Sequence, residues 1–402
     1  MRRFERRAAP RALAGWRFAI ALAAVAAFLP HAAAAPLSAA ASLGRRLFFD
    51  ASLSASGKLS CASCHDPRHA HAPGNGLAVQ LGGPALDRPG LRAVPSLRYL
   101  DQNGALSVHA DGSAIGGFDW DGRAPSLAAQ AAGPLLAPNE MANANPAEVV
   151  ARLRRAPYAA QFRRVFGAGI LRRPDAAFAR LTFALQQYQI ESPAFHPYDS
   201  KFDSVLTGRA RLTPAEARGR RLFDDKDKGN CAACHSSAPG PGGRRPLFTD
   251  FSYDSTGVPR NMAIPANAQD SHFDLGLCGT EAIRQPGLCG KFRVPTLRNV
   301  ATRRVFFHNG VFTSLREVLE FYARRDTEPQ RWYPPDARGE LQIFNDLPPA
   351  LRANVNRTEV PYDRKPGMVP ALDAADIDDL LRFLATLNDG YRPAPRGASR
   401  QK

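Results

Sequence analysis

Apolar residues recur at three- and four-residue intervals over Ala176 to Ile190 and over Ala374 to Leu387, which predicts an amphipathic helix in each place. Glu148 to Phe166 carries the same pattern. Thr213-Pro214-Ala215-Glu216 predicts a further helix start, with a capping hydroxyl, a proline in the first turn and an acid three residues after the cap. No run alternates apolar and polar positions as a half-buried strand would. The expected fold is all-α, with long loops that take up much of the 34 Pro and 32 Gly. Pro193 and Pro197 interrupt the helical pattern and place a boundary near Ser192 to Ser204.

The N-terminus has a different pattern. Arginines reach to Arg17, a 12-residue apolar core runs from Phe18 to Leu29, and a small-residue tract covers Ala32 to Ala35. A membrane span needs about 20 apolar residues, so the expectation for residues 1–35 is an export signal cleaved near Ala34. The mature chain is then periplasmic, in an oxidising compartment, with no membrane span. With 53 Lys and Arg against 37 Asp and Glu, the formal charge is +16. The six Arg and one Glu of the leader account for +5, leaving +11. That excess suits an acidic protein partner, and no basic run interleaved with aromatics points to nucleic acid.

The chain repeats itself. Gly44-Arg45-Arg46-Leu47-Phe48 precedes CASCH at 61–65, and Gly219-Arg220-Arg221-Leu222-Phe223 precedes CAACH at 231–235. VPSLRYL at 94–100 answers VPTLRNV at 294–300, and Asp121-Gly122 with Ser126-Leu127 answers Asn309-Gly310 with Ser314-Leu315. Four markers in one order predict two related domains, at 36–195 and 196–402.

Each repeat contains Cys-x-x-Cys-His, the attachment signature of c-type haem. Cys61, Cys64, Cys231 and Cys234 would form the thioethers, and His65 and His235 would be the proximal ligands. A zinc site would need four ligands from neighbouring pairs, and a redox dithiol would need a βαβ context that is missing. Cys278 and Cys289 remain, on a Gly-rich loop of an exported chain, and are expected to form a disulfide.

The sixth iron ligand decides between electron transfer and chemistry on oxygen species. Aligning Ser126 with Ser314 sets Pro134 opposite Tyr322, each eight residues on. Ser314-Leu315-Arg316-Glu317 reads as a capping box, and Leu315, Val318, Leu319 and Tyr322 share the apolar face that follows. Proline offers no donor atom, so the first haem is expected to be open. Tyr322 is either a phenolate ligand to the second iron or a packed core aromatic.

Together, GRRLFFD before CASCH, FDWDGRAPSLAAQAAGPLLAPNEM at 118–141, CAACH, and KFRVPTLRNVATRRVFFHNGVFTSLREVLEFY at 291–322 resemble the bacterial di-haem cytochrome c peroxidase and MauG family. The resemblance covers nearly all of the mature chain. It implies two cytochrome-c-like domains, each with one covalent c-type haem. The first would react with hydrogen peroxide and the second relay electrons. It also implies a distal pocket of Gln130, Pro134 and Glu140, with Trp120 between the haems. Conventional peroxidases have Met where Tyr322 stands and MauG-like members have Tyr, so the resemblance places this chain on the MauG-like side.

Departures from the family pattern alter the details. The family's interdomain calcium is held by an Asn side chain and two carbonyls, which map to Tyr99, Arg293 and Pro295. A neutral phenol is a poor ligand for a hard cation, which disfavours calcium. Members that build tryptophan tryptophylquinone have a Trp two residues before the second CxxCH, where Gly229 stands, so a different substrate or exit route is implied, with Trp332 one candidate. His69 and His71 lie too close to the first motif to match the distal His of conventional members and are expected at the surface. The expected function is a haem peroxidase-type oxidoreductase drawing electrons from a periplasmic donor or protein substrate. The alternatives are a conventional peroxidase and a non-catalytic electron-transfer cytochrome.

Overall fold

Two close helix pairs organise the molecule. The computed structural model describes residues 35–393 apart from 281, 282 and 284; residues 1–34, which hold the expected export signal and the cleavage point near Ala34, are outside it. The first half of the chain contains α1 (Ala39–Phe49), α2 (Cys61–Cys64), α3 (Leu127–Leu136), α4 (Pro146–Arg155), α5 (Ala159–Phe166) and α6 (Pro174–Glu191). The second contains α7 (Lys201–Leu206), α8 (Pro214–Asp224), α9 (Leu315–Arg324) and α10 (Ala374–Ala385). Helix α1 packs on α6, and α8 packs on α10.

Both pairs depend on the glycine that opens the repeated GRRLF segment. A Cβ on Gly44 would lie 1.9 Å from the Ala184 carbonyl oxygen, and one on Gly219 would lie 2.0 Å from that of Asp379. The helices therefore meet backbone to backbone, closer than any side chain allows. Around them the larger groups of buried apolar side chains are two. One holds Leu43, Leu47, Phe162, Leu181 and Phe195. The other holds Phe223, Phe248, Phe321, Leu380 and Phe383. Leu247 and Phe251, from the second half of the chain, pack into the first group.

Helix ends follow local chemistry, with two corrections. Thr213 and Glu216 form the expected capping box at the start of α8. Glu148 to Phe166 is not one helix: Pro157 forces Ala156 into extended backbone at φ −66° and ψ 144°, which ends α4 and lets α5 begin afresh. Ser314 precedes α9, yet its side chain makes no capping bond, so the expected box is absent there. Strand structure among the described residues is confined to three antiparallel pairs of two-residue strands: Leu81–Gly82 with Arg88–Pro89, Ser107–Val108 with Ala114–Ile115, and Tyr253–Asp254 with Phe292–Arg293. Pairs this short leave no side-chain alternation to read.

Alanine in an exposed helix interior is favoured over glycine by about 1 kcal/mol. At Gly44 or Gly219 the overlap with a carbonyl reverses that sign. Gly44→Ala and Gly219→Ala are each expected to destabilise the protein by about 1–3 kcal/mol, read as a lower melting temperature.

Candidate active site

The four cysteines of the two Cys-x-x-Cys-His motifs are half-buried, and their thiols are free. Burial, the largest cause, pushes Cys61, Cys231 and Cys234 up to about 12 and Cys64 up to about 11. Burial also holds His65 down to about 4 and His235 below its ordinary value, so both imidazoles are neutral at pH 7. The Nδ1 of His65 lies 3.2 Å from the His71 carbonyl and that of His235 2.9 Å from the Phe248 carbonyl. Since a carbonyl only accepts, each Nδ1 carries the proton and each Nε2 keeps its lone pair for a metal.

The second motif faces a cavity lined by Cys231, Cys234, His235 and the apolar face of α9: Leu315, Val318, Leu319 and Tyr322. The four positions that sequence spacing assigns to one helix face therefore share one cavity. Tyr322 is close enough to the thiols of Cys234 and Cys231 for their charges to raise its pKa, although burial is the larger cause. Trp120 lines the same cavity from the first half of the chain. It is 9% exposed, and its Nε1 donates to the Ala93 carbonyl at 2.7 Å.

Around the first motif, α3 carries Gln130 and Pro134, and Glu140 follows α3 after a short turn. Gln130 donates from Nε2 to Asp119 Oδ1 at 3.2 Å. Glu140 is near enough to Cys61 and Cys64 to raise both thiols. The residue is exposed to solvent, yet enough protein surrounds the carboxyl to desolvate it. Desolvation first, then the Asp119 charge, pushes it up to about 7, against a smaller opposite effect of Arg123.

Two buried cations bear on what the cavity can hold. Arg303 lines it, and burial without a compensating carboxylate holds it down to about 10. Arg293 lines it too, with Nη1 unpartnered. Uncompensated buried guanidinium groups are costly. A haem brings two propionate carboxylates, so thiols, neutral imidazoles and spare cations all fit the group.

A family model described as di-haem cytochrome c peroxidase matches residues 38–211. The chain is 36% identical to the methylamine utilization protein MauG of Paracoccus denitrificans over 368 residues, covering 88% of this chain and 90% of that one. It belongs to the di-haem cytochrome c peroxidase and MauG family. It is also 32% identical to the cytochrome c551 peroxidase of Nitrosomonas europaea over 294 residues, 71% of this chain and 72% of that one. The crystal structure of the diheme peroxidase BthA from Burkholderia thailandensis superposes with a TM-score of 0.82 at 42% identity, covering 89% of this chain and 87% of that one. The chain is thus a haem peroxidase-type oxidoreductase with two c-type haems, and peroxide is the substrate that this family implies. No helix among the described residues is long and apolar enough to cross a membrane.

Several expected positions differ in the structure. His71 is not at the surface: it is 0% exposed, stacks on Phe195 with centroids 4.0 Å apart, and has no partner for either ring nitrogen. The cause is local, since left-handed backbone at Ala70 and His71 turns the His71 carbonyl to His65 and sends the ring into the core. His69 is half-buried, with Nδ1 3.2 Å from Asp66. A Cβ at Gly229 would lie 2.5 Å from the Leu222 carbonyl, so the backbone itself excludes a Trp there. Trp332 packs edge-on against Phe312 and Phe321. Cys278 and Cys289 are joined in a disulfide.

Tyr99, Arg293 and Pro295 do not fit a calcium ion. The Tyr99 hydroxyl donates to Asp389 Oδ1 at 2.5 Å and accepts from the Tyr198 amide at 3.1 Å. Asp389 is further held by Arg98 at 2.8 Å and Asn299 at 2.6 Å, and the Arg298 guanidinium lies 4.8 Å from the Tyr99 ring centroid. Tyr99 and Asn299 are equivalent positions of the two repeats, so a single carboxylate joins them where a cation would otherwise bridge. Removing divalent ions with a chelator is expected to leave the melting temperature and both haem spectra unchanged. Asp389→Ala, which strands the largely buried Arg98, is expected to destabilise the protein by about 3 kcal/mol, read by thermal denaturation.

Proposed function

We propose that this protein is a MauG-like periplasmic oxidase, in which peroxide is consumed at the His65 side and the oxidising equivalents are shared with the His235 side. The observation that carries this reading is the asymmetry between matching helices. Pro134 on α3 offers no ligand atom, whereas Tyr322, eight residues after the matching cap position on α9, shares a cavity with His235. The haem irons, when bound, accept the two oxidising equivalents of peroxide.

The chain's own groups supply the rest. Peroxide needs two protons and two electrons to become two waters, and Glu140, held near neutrality in its protonated form, gives a proton to the leaving oxygen. Gln130, anchored on Asp119, keeps one N–H and its amide oxygen free to hydrogen-bond the peroxide. Trp120, buried and fixed by its Nε1 bond, lies on the path between the two sides. Electrons come one at a time from a periplasmic protein, carrier or substrate. The formal charge of +11 that remains without the leader favours a partner with an acidic face.

Below pH 7 Glu140 is neutral and can donate; above it the group is a carboxylate and cannot. The rate constant for reaction with peroxide is therefore expected to fall as pH rises through about 7. Glu140→Gln is expected to slow that reaction by about 10²-fold or more and to remove the inflection, in stopped-flow mixing. A wild-type rate in Glu140→Gln would make the residue a bystander. For Tyr322, an anionic ligand lowers the reduction potential relative to His/Met ligation. Tyr322→Phe is expected to abolish the low-spin ferric signal of the second haem and Tyr322→Met to raise its potential, by electron paramagnetic resonance and redox titration. Unchanged signal and potential in Tyr322→Phe would leave Tyr322 a packing residue and favour the conventional peroxidase.

A further inference from the structure

Behind Tyr322 stands a second buried tyrosine that no motif singles out. Tyr362 is 6% exposed and lines the same cavity as His235 and Tyr322. Its ring centroid lies 5.7 Å from that of Tyr322, with the planes tilted by 30°. The two rings are packing neighbours in one wall of that cavity, which puts a second phenol beside the candidate ligand. The segment that carries Tyr362 is tied to the haem motif, because Asn230, the residue before Cys231, donates to the Val360 carbonyl at 3.1 Å. The placement of Tyr362 is thereby coupled to that of the second attachment site.

A cation also lies over the Tyr362 ring. Arg325, at the end of α9 and 1% exposed, sets its guanidinium 4.1 Å from the Tyr362 ring centroid. It is held there by Asp326 at 2.8 Å, the Thr256 carbonyl at 2.9 Å and the Asn356 carbonyl at 2.6 Å. Arg325 contacts Tyr362 and Tyr362 contacts Tyr322, so a buried guanidinium is linked through one phenol ring to the cavity.

This linkage has a chemical sense once Tyr322 binds iron. A metal-bound phenolate has no proton and can only accept, so a neutral phenol beside it must be the donor. A hydrogen bond to an ionised acceptor is the stronger kind. A guanidinium over the face of the donor ring favours charge withdrawal through it. Groups one shell removed from a metal tune its ligand in this way.

We propose that Tyr362 donates a hydrogen bond to the Tyr322 oxygen and, with Arg325 behind it, draws charge from that ligand and sets the reduction potential of the second haem. Tyr362 is a positioning residue in this scheme and never touches the reacting atoms. The proposal rests on ligation of the second iron by Tyr322.

The test is redox titration with optical and electron paramagnetic resonance spectra of the purified two-haem protein. In Tyr362→Phe the low-spin ferric signal is expected to persist, the potential of the second haem to move negative, and the phenolate-to-iron charge-transfer band to shift. The control is Tyr333→Phe, which removes another buried hydroxyl, bonded to the Gly257 carbonyl, from the apolar group that Tyr322 packs against. Its potential and band are expected to match the wild type, which separates tuning from general loosening of the core. If Tyr362→Phe also matches the wild type while Tyr322→Phe loses the band, Tyr322 is the ligand and the role given to Tyr362 is overturned. If Tyr322→Phe itself keeps the band and signal, ligation by Tyr322 fails, and the tuning role with it.

Discussion

The contact on which the structure depends is the backbone-to-backbone meeting of helices at Gly44 and Gly219. At each, the helix that leads into a Cys-x-x-Cys-His motif is pressed against the last long helix of its half, α6 or α10. Any side chain at these glycines would push the helices apart. The contact therefore sets the distance between the attachment segment and the wall it packs on. In the second half, Phe223 on α8 and Leu380 and Leu384 on α10 line the cavity that faces His235.

Within this frame the buried ionisable groups are arranged for a bound macrocycle. The imidazoles of His65 and His235 are neutral, with their protons directed to main-chain carbonyls. Arg303 is a cation without an acid partner and Arg293 has an unpartnered Nη1 at the cavity wall, where carboxylates of a prosthetic group would be welcome. Elsewhere charge is closed off. Arg298 bonds to both oxygens of Asp203 at 2.9 and 3.0 Å, and Asp389 collects Arg98, Tyr99 and Asn299. The junction between the repeats is thus joined by hydrogen bonds and ion pairs within the chain.

The duplicated architecture matters because its halves differ at the places where chemistry is decided. Pro134 and Tyr322 occupy matching positions on ten-residue helices, α3 and α9, that follow matching serines. Near the proline lies Glu140, a carboxyl kept protonated up to about pH 7, suited to a proton-consuming step. Beside the tyrosine lie Tyr362 and Arg325, suited to holding a phenolate.

The covalent chemistry, the duplication and the contrast between Pro134 and Tyr322 were legible in the linear sequence, because each is a matter of residue identity at fixed spacing. The apolar face of α9 was legible too, since helical geometry makes Leu315, Val318, Leu319 and Tyr322 neighbours whatever surrounds them. What only the tertiary structure decided involves partners distant in sequence or an unusual backbone. His71 is buried because left-handed residues turn it inward, which polarity alone does not reveal. Tyr99 meets Asp389 across 290 positions. Tyr362 reaches Tyr322 from a loop with no periodic pattern, and Arg303 reveals its lack of an acid partner only when burial is known. Spacing fixes which atoms can share a helix face or a haem; folding alone decides which distant groups share a low-dielectric interior, and there charge and hydrogen bonding acquire their strength.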